Sequence, residues 1–240
     1  PYASTTSSGL QRVVCLNCDE CDGAAHIRIP DGETEITERA FYNCTSLVSV
    51  VIPDSVESIG IGAFAYCQSL VSVIIPGNVI TIGESAFENC ENLNSVVIEN
   101  GVESIGKFAF QKCTSLISVE IPGSVREIGL QAFLRSSLSS VKIQNGVEKI
   151  GVLAFAYTAL TSIVIPNSVT EIGDGAFYDS GLETVTIPVQ FTEEPEELRR
   201  IGINLQNRGL VINGRLWNYR YLNRNIIPEI RTISLRAKST

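Results

Sequence analysis

The chain has 240 residues, 44% hydrophobic and 18% charged, with a net charge of −8 at pH 7. That balance fits a globular protein, and no apolar run approaches the ~18 residues that a membrane-crossing helix needs. The chain begins at Pro1 and contains no Met, so an initiator and any targeting segment are expected outside this sequence.

Pro1 to Gly9 is rich in Ser and Thr and is expected to be poorly ordered. Cys15, Cys18 and Cys21 then form a C-x-x-C-x-x-C run, followed by His26, the single histidine. Three thiolates and an imidazole are a tetrahedral zinc set. Against zinc, Cys21 lies 23 residues before Cys44, which lies 23 before Cys67, with Cys90 and Cys113 at the same step. Cys21 therefore has a place in a buried column, and the reading preferred is an N-terminal cap in which Cys15 and Cys18 are either bridged or simply buried. Cys44, Cys67, Cys90 and Cys113 are expected to be reduced, because side chains stacked on successive rungs point the same way rather than toward each other.

From about Ala24 to Pro188 the chain repeats. Ile29, Ile52, Ile75, Ile98 and Ile121 follow at 23 residues, then Ile143, Ile165 and Ile187 at 22, while Phe41, Phe64, Phe87, Phe110, Phe133, Phe155 and Phe177 keep step. A fixed period of this length marks a solenoid. In the unit LVSVVIPDSVESIGIGAFAYCQSL (47–70), Val50 and Ile52 alternate as in a half-buried strand, and Pro53 stops it because proline cannot donate to a ladder. Val56, Ile59, Ala63, Phe64 and Cys67 follow at spacings that suit a turn or a short helical segment. Gly60, Gly83, Gly106, Gly129, Gly151 and Gly173 recur at one phase, which implies a positive φ or no room for a Cβ.

The recurring IP, IG, AF and C, as in Ile52-Pro53, Ile59-Gly60, Ala63-Phe64 and Cys67, resembles the BspA-like, or Treponema-type, leucine-rich repeat. The resemblance covers roughly two thirds of the chain. It implies a β-rich α/β fold: a right-handed solenoid with one parallel sheet of about eight strands and a C-terminal cap or extension. It also implies a surface or secreted adhesin. The expected division is 1–23 as N-terminal tail and cap, 24–188 as solenoid and 189–240 as C-terminal cap and extension.

A binding function would be written on the outward sheet positions. One column is uniform, running Ser49, Ser72, Ser95, Ser118, Ser140, Ser162 and Thr184. In the next, Val51, Ile74 and Val97 fall on adjacent rungs beside Val48 and Val71, either as a contact patch or because β-branched residues suit a sheet surface. Asn43-Cys44-Thr45 is the one N-x-T acceptor triplet.

After Pro188 the repeat stops. Thr192, with acids following, looks like a helix start, with Leu198, Ile201 and Leu205 at helical spacing, and Asn213-Gly214 is a hairpin turn signal. Residues 1–188 carry 9 basic against 21 acidic groups, and the last 52 residues carry 9 against 5. Arg215, Trp217, Tyr219, Arg220, Tyr221 and Arg224 give the tail interface-type residues, so it either folds back on its own acidic solenoid or, the option preferred, docks on a protein partner. Nucleic acid is not favoured, since no nucleic-acid-binding fold accompanies the tail. With a single histidine, no phosphate loop and no hydrolase elbow, neither an enzyme nor a cofactor is expected. Two readings remain: a secreted or cell-surface recognition module, or a structural subunit docked on a large, membrane-associated or organellar assembly.

Overall fold

The computed structural model describes residues 2–5, 11–21, 23–192, 195–204 and 210–216. Eight strands recur at the expected phase: His26–Arg28, Ser49–Val51, Ser72–Ile75, Ser95–Ile98, Ser118–Ile121, Ser140–Ile143, Ser162–Val164 and Thr184–Thr186. They pair in parallel and in repeat register, so that Ile74 lies beside Val97 and Glu120 beside Lys142. The ladder is hydrogen-bonded in three runs, and the strands on either side of each break remain packed as neighbours.

A second parallel ladder runs beside this long one. It is built from seven two-residue strands, from Glu35–Ile36 through Ser58–Ile59, Thr81–Ile82 and Ser104–Ile105 to Glu171–Ile172. The sequence pointed here to a turn or short helix. Two residues are too few to display a strand period, and pairing with the rungs above and below supplies what local pattern does not. The phase-locked glycines sit against this ladder. A Cβ on Gly83 would come within 2.5 Å of the Ile59 carbonyl oxygen, and one on Gly106 within 2.7 Å of Gly83, so lack of room rather than a positive φ keeps them glycine.

The third side of each rung is a chain of turns. Asn43, Tyr66, Asn89, Lys112, Arg135, Tyr157 and Asp179 each hold φ between 53° and 63°, a left-handed conformation that costs a side-chain-bearing residue about 1–2 kcal/mol. Bonds between rungs offset that cost. Phe41 donates its N–H to Ala63 at 2.7 Å, Phe64 to Ala86 at 2.8 Å and Asn43 to Ala65 at 2.8 Å, each reaching forward to the next rung. Inside this side the seven Phe rings are fully buried and stacked, with centroids 5.1–5.8 Å apart and planes within 7°.

Both ends of the column are covered. Gln11–Val14 extends the long ladder in parallel with His26–Arg28, and Tyr2–Thr5, within the stretch expected to be poorly ordered, pairs with it antiparallel as an edge strand. At the other end lie a 3₁₀ turn at Val189–Phe191 and a helix at Pro195–Arg200. The hairpin follows: Val211–Ile212 and Arg215–Leu216 pair around Asn213-Gly214. The helix starts later than Thr192, with Glu196 and Glu197 in its first turn, and Leu205 lies outside the described residues. Leu198, Ile201, Ile203, Leu210 and Ile212 are buried against the last rung. There Gly175 and Phe177 donate to the Arg200 and Ile201 carbonyls at 2.7 and 2.9 Å.

The cysteine assignment needs correction. Cys15 is bridged to Cys21 and Cys18 to Cys44, so Cys44 is oxidised rather than free, and Cys15 and Cys18, left open above as either bridged or buried, are each bridged to another cysteine. Cys18 occupies the Phe phase one rung before Phe41, and donates its N–H to Ala40 at 2.9 Å as the later phenylalanines do to their own neighbours. With no ring at that position, a disulfide ties the cap down. Only Cys67, Cys90 and Cys113 remain free, all buried. Their Sγ atoms donate to the carbonyls of Phe41, Phe64 and Phe87 at 3.0–3.3 Å.

Candidate functional site

Alternation places Val50, Val73 and Val96 in the core and leaves their neighbours on the long-ladder face outside. Ile74 is 57% exposed and Val97 46%, and the two are register partners, with Val51 half-buried on the rung before. Val71 donates its N–H to Val48 at 3.0 Å, which sets these two side by side across adjacent rungs. The structure thus brings Val48, Val51, Val71, Ile74 and Val97 onto one face. It adds Ile117, 58% exposed. The Val48 column, continued at 23-residue steps through Val71 and Asn94, reaches Ile117 by phase alone, so the signal for it is present in the sequence.

Paired polar groups close the patch at both ends. On one side Arg28 meets Asp31 at 2.6 Å, His26 Nδ1 lies 2.9 Å from Ser49 Oγ, and a hollow of about 410 Å³ opens between Arg28, Asp31, Val51 and Asp54. On the other, Glu120 accepts from Lys142 Nζ at 2.7 Å and Gln144 Nε2 at 2.6 Å. These donors hold the Glu120 carboxyl below the usual carboxylate range, through hydrogen bonds first and charge second. The zinc set is dispersed: its three cysteines are bridged, and His26 faces Ser49. Arg215 lies in the terminal hairpin, while Trp217, Tyr219, Arg220, Tyr221 and Arg224 lie outside the described residues.

A stack of parallel rungs with an open, mixed apolar and polar sheet face is the architecture of a repeat-type binding module. The model for the BspA type leucine-rich repeat region, in 6 copies, matches residues 17–122 and 80–198, and the chain belongs to this family. Repeat proteins of this class are generally non-catalytic modules that bind other proteins. A leucine-rich cell surface protein from Faecalibacterium prausnitzii A2-165 superposes with a TM-score of 0.60 at 32% identity, over 77% of this chain and 54% of that one. A leucine-rich repeat protein from Bacteroides ovatus gives 0.59 at 26% identity, over 88% and 58%. The leucine-rich repeat protein of T. pallidum shares the fold, at 0.52 and 24% identity, over 81% and 87%. The chain thus spans little more than half the length of the first two. Comparison with curated proteins gave no match. Among the described residues no helix is long and apolar enough to cross a membrane.

Proposed function

We propose that this chain is a secreted or cell-surface recognition module whose long-ladder face binds a protein partner through Val48, Val51, Val71, Ile74 and Val97. The carrying observation is the exposed apolar patch closed at both ends by paired polar groups. These residues span three rungs, and with Ile117 a fourth; at ~4.8 Å per rung and about 10 Å across, that makes a patch on the order of 200 Å². That suits the anchor of an interface whose polar rim is the flanking sheet surface. In this reading the solenoid of 24–188 recognises the partner, while 1–23 and 189–240 close its ends.

Two disulfides favour an oxidising compartment, since such bridges are kept reduced in most cytosols. The F. prausnitzii relative is described as a cell surface protein. The charge asymmetry favours a second reading, a peripheral subunit of a larger organellar or membrane-associated assembly, held through Arg215, Trp217, Tyr219, Arg220, Tyr221 and Arg224.

The test is binding of the purified full chain to immobilised extracellular proteins and to intact cells, for wild type and for Ile74→Glu and Val97→Glu. Loss of binding by about tenfold or more, with an unchanged melting temperature, supports the sheet face. Binding that ignores both substitutions and disappears on removal of residues 217–240 moves the function to the tail.

A further inference from the structure

The short-ladder face carries three outward columns that change character along the molecule. In its later rungs the charges are matched: Arg126 pairs with Glu148 at 2.6 Å, Lys149 with Glu171 at 3.3 Å and Arg200 with Asp174 at 2.5 Å. In the earlier rungs the same columns hold Glu35, Glu38, Glu57, Glu84 and Glu103, all exposed, and among the described residues none of the five is in an ion pair. From Ala40 to Gly106 the chain has no Lys or Arg. Set among these acids are two aliphatic side chains, Ile61 at 50% and Ile80 at 49% exposure. Ile80 is held between Glu57 and Glu103 by rung bonds of 2.8 and 2.9 Å. Among the described residues, the two exposed aliphatic side chains of this face thus lie where its acids are without ion-pair partners.

The complementary chemistry is in the same chain. Residues 217–240 contain Arg220, Arg224, Arg231, Arg236 and Lys238 against Glu229 alone, interleaved with Leu222, Ile226, Ile227, Ile230, Ile233 and Leu235. They follow Leu216 in the terminal hairpin, about 30 Å along the axis from the rung of Ile80 at ~4.8 Å per rung. Twenty-four residues reach about 80 Å when extended, enough to return along the column and cross to the short-ladder face. We propose that residues 217–240 dock on the short-ladder face of their own solenoid, their aliphatic side chains on Ile61 and Ile80 and their basic groups among Glu35, Glu38, Glu57, Glu84 and Glu103. This surface is separate from the long-ladder patch, so either assignment can fail alone.

The experiment uses the full chain at low salt. Carbodiimide joins a lysine amine to a carboxylate only where the two already touch, and mass spectrometry of the digest locates the joint. The expected product links Lys238 to one or more of the five glutamates within a single chain. Limited trypsin cleavage at Arg220 to Arg236 should be about tenfold slower in wild type than in Glu57→Lys/Glu84→Lys, and the protection should vanish at high salt. Both substituted positions are exposed, so the variant tests charge rather than folding, and its circular dichroism should match wild type. Links between two chains, links to other acids only, or cleavage equally fast in both proteins would each overturn the proposal.

Discussion

Phe110 shows what a single position contributes. Its ring lies 5.3 Å from Phe87 and 5.2 Å from Phe133, fully buried between them. Phe110→Ala should destabilise the fold by about 3–5 kcal/mol, read from chemical denaturation, because a rigid stack cannot collapse into the space. The free thiols make a pH-dependent contribution. Burial pushes the Cys67 thiol up to about 12, and raises Cys90 and Cys113 as well. The folded state therefore keeps protons that the unfolded chain begins to release near pH 9.0. For Cys67 this stability is complete below that value and is lost as pH rises toward 12, by about 1.4 kcal/mol per pH unit, and Cys90 and Cys113 act in the same direction. Replacing all three with Ser should flatten the dependence measured by urea titration between pH 8 and 11, at some cost in packing. The Phe and thiol columns were legible in the sequence because every rung repeats them at one phase. The Cys18–Cys44 bridge was not, because it joins two different phases across a rung, and phase arithmetic compares only like with like.

At the scale of the element, the repeating strand was readable from its alternation and its closing proline, whereas the short ladder was not, being set by neighbours rather than by local pattern. Its dependence on close approach gives a sharp test. Gly106→Ala sets a methyl 2.7 Å from backbone atoms of Gly83 and Ile82, with no flexible side chain to yield. The expected loss is about 1–3 kcal/mol, by calorimetry. The N-terminal cap is an element held by its bridges. Cys18→Ser opens a loop of sequence separation 26 and should cost about 3 kcal/mol. Amide exchange should quicken first at Cys18 and around Phe41, where the cap meets the first rung, and leave Phe133 unchanged. Uniform acceleration along the chain would show instead that the cap and the column unfold together.

The whole molecule is a stack in which each rung touches only its neighbours, so its length is adjustable in units of one repeat. Removing residues 72–94, which joins Val71 to Ser95, should leave a folded protein with a lower melting temperature and the same circular dichroism shape. Removing 12 residues from the same place should abolish folding, since it sets strand phase against turn phase. What the sequence left unreadable at this scale was the surface: Val51, Ile74 and Val97 were visible as a column, but their closure by Arg28–Asp31 and Lys142–Glu120 required the rungs to be assembled.

The forward-pointing amides of the turn side carry a further consequence. Peptide groups aligned along an axis add their dipoles, and here the N–H ends face the C-terminal cap while the carbonyl ends face the first rung. The negative pole therefore lies at the end where the glutamates are unmatched, and the positive pole at the end where the basic residues begin. It is the turn side that is polarised in this way, since amides at the ladders, such as Gly60 N–H to the Ile36 carbonyl, point back toward the first rung. A cationic surface approaching from solution is turned toward the first rungs before any contact forms, and its association rate should fall steeply as ionic strength rises.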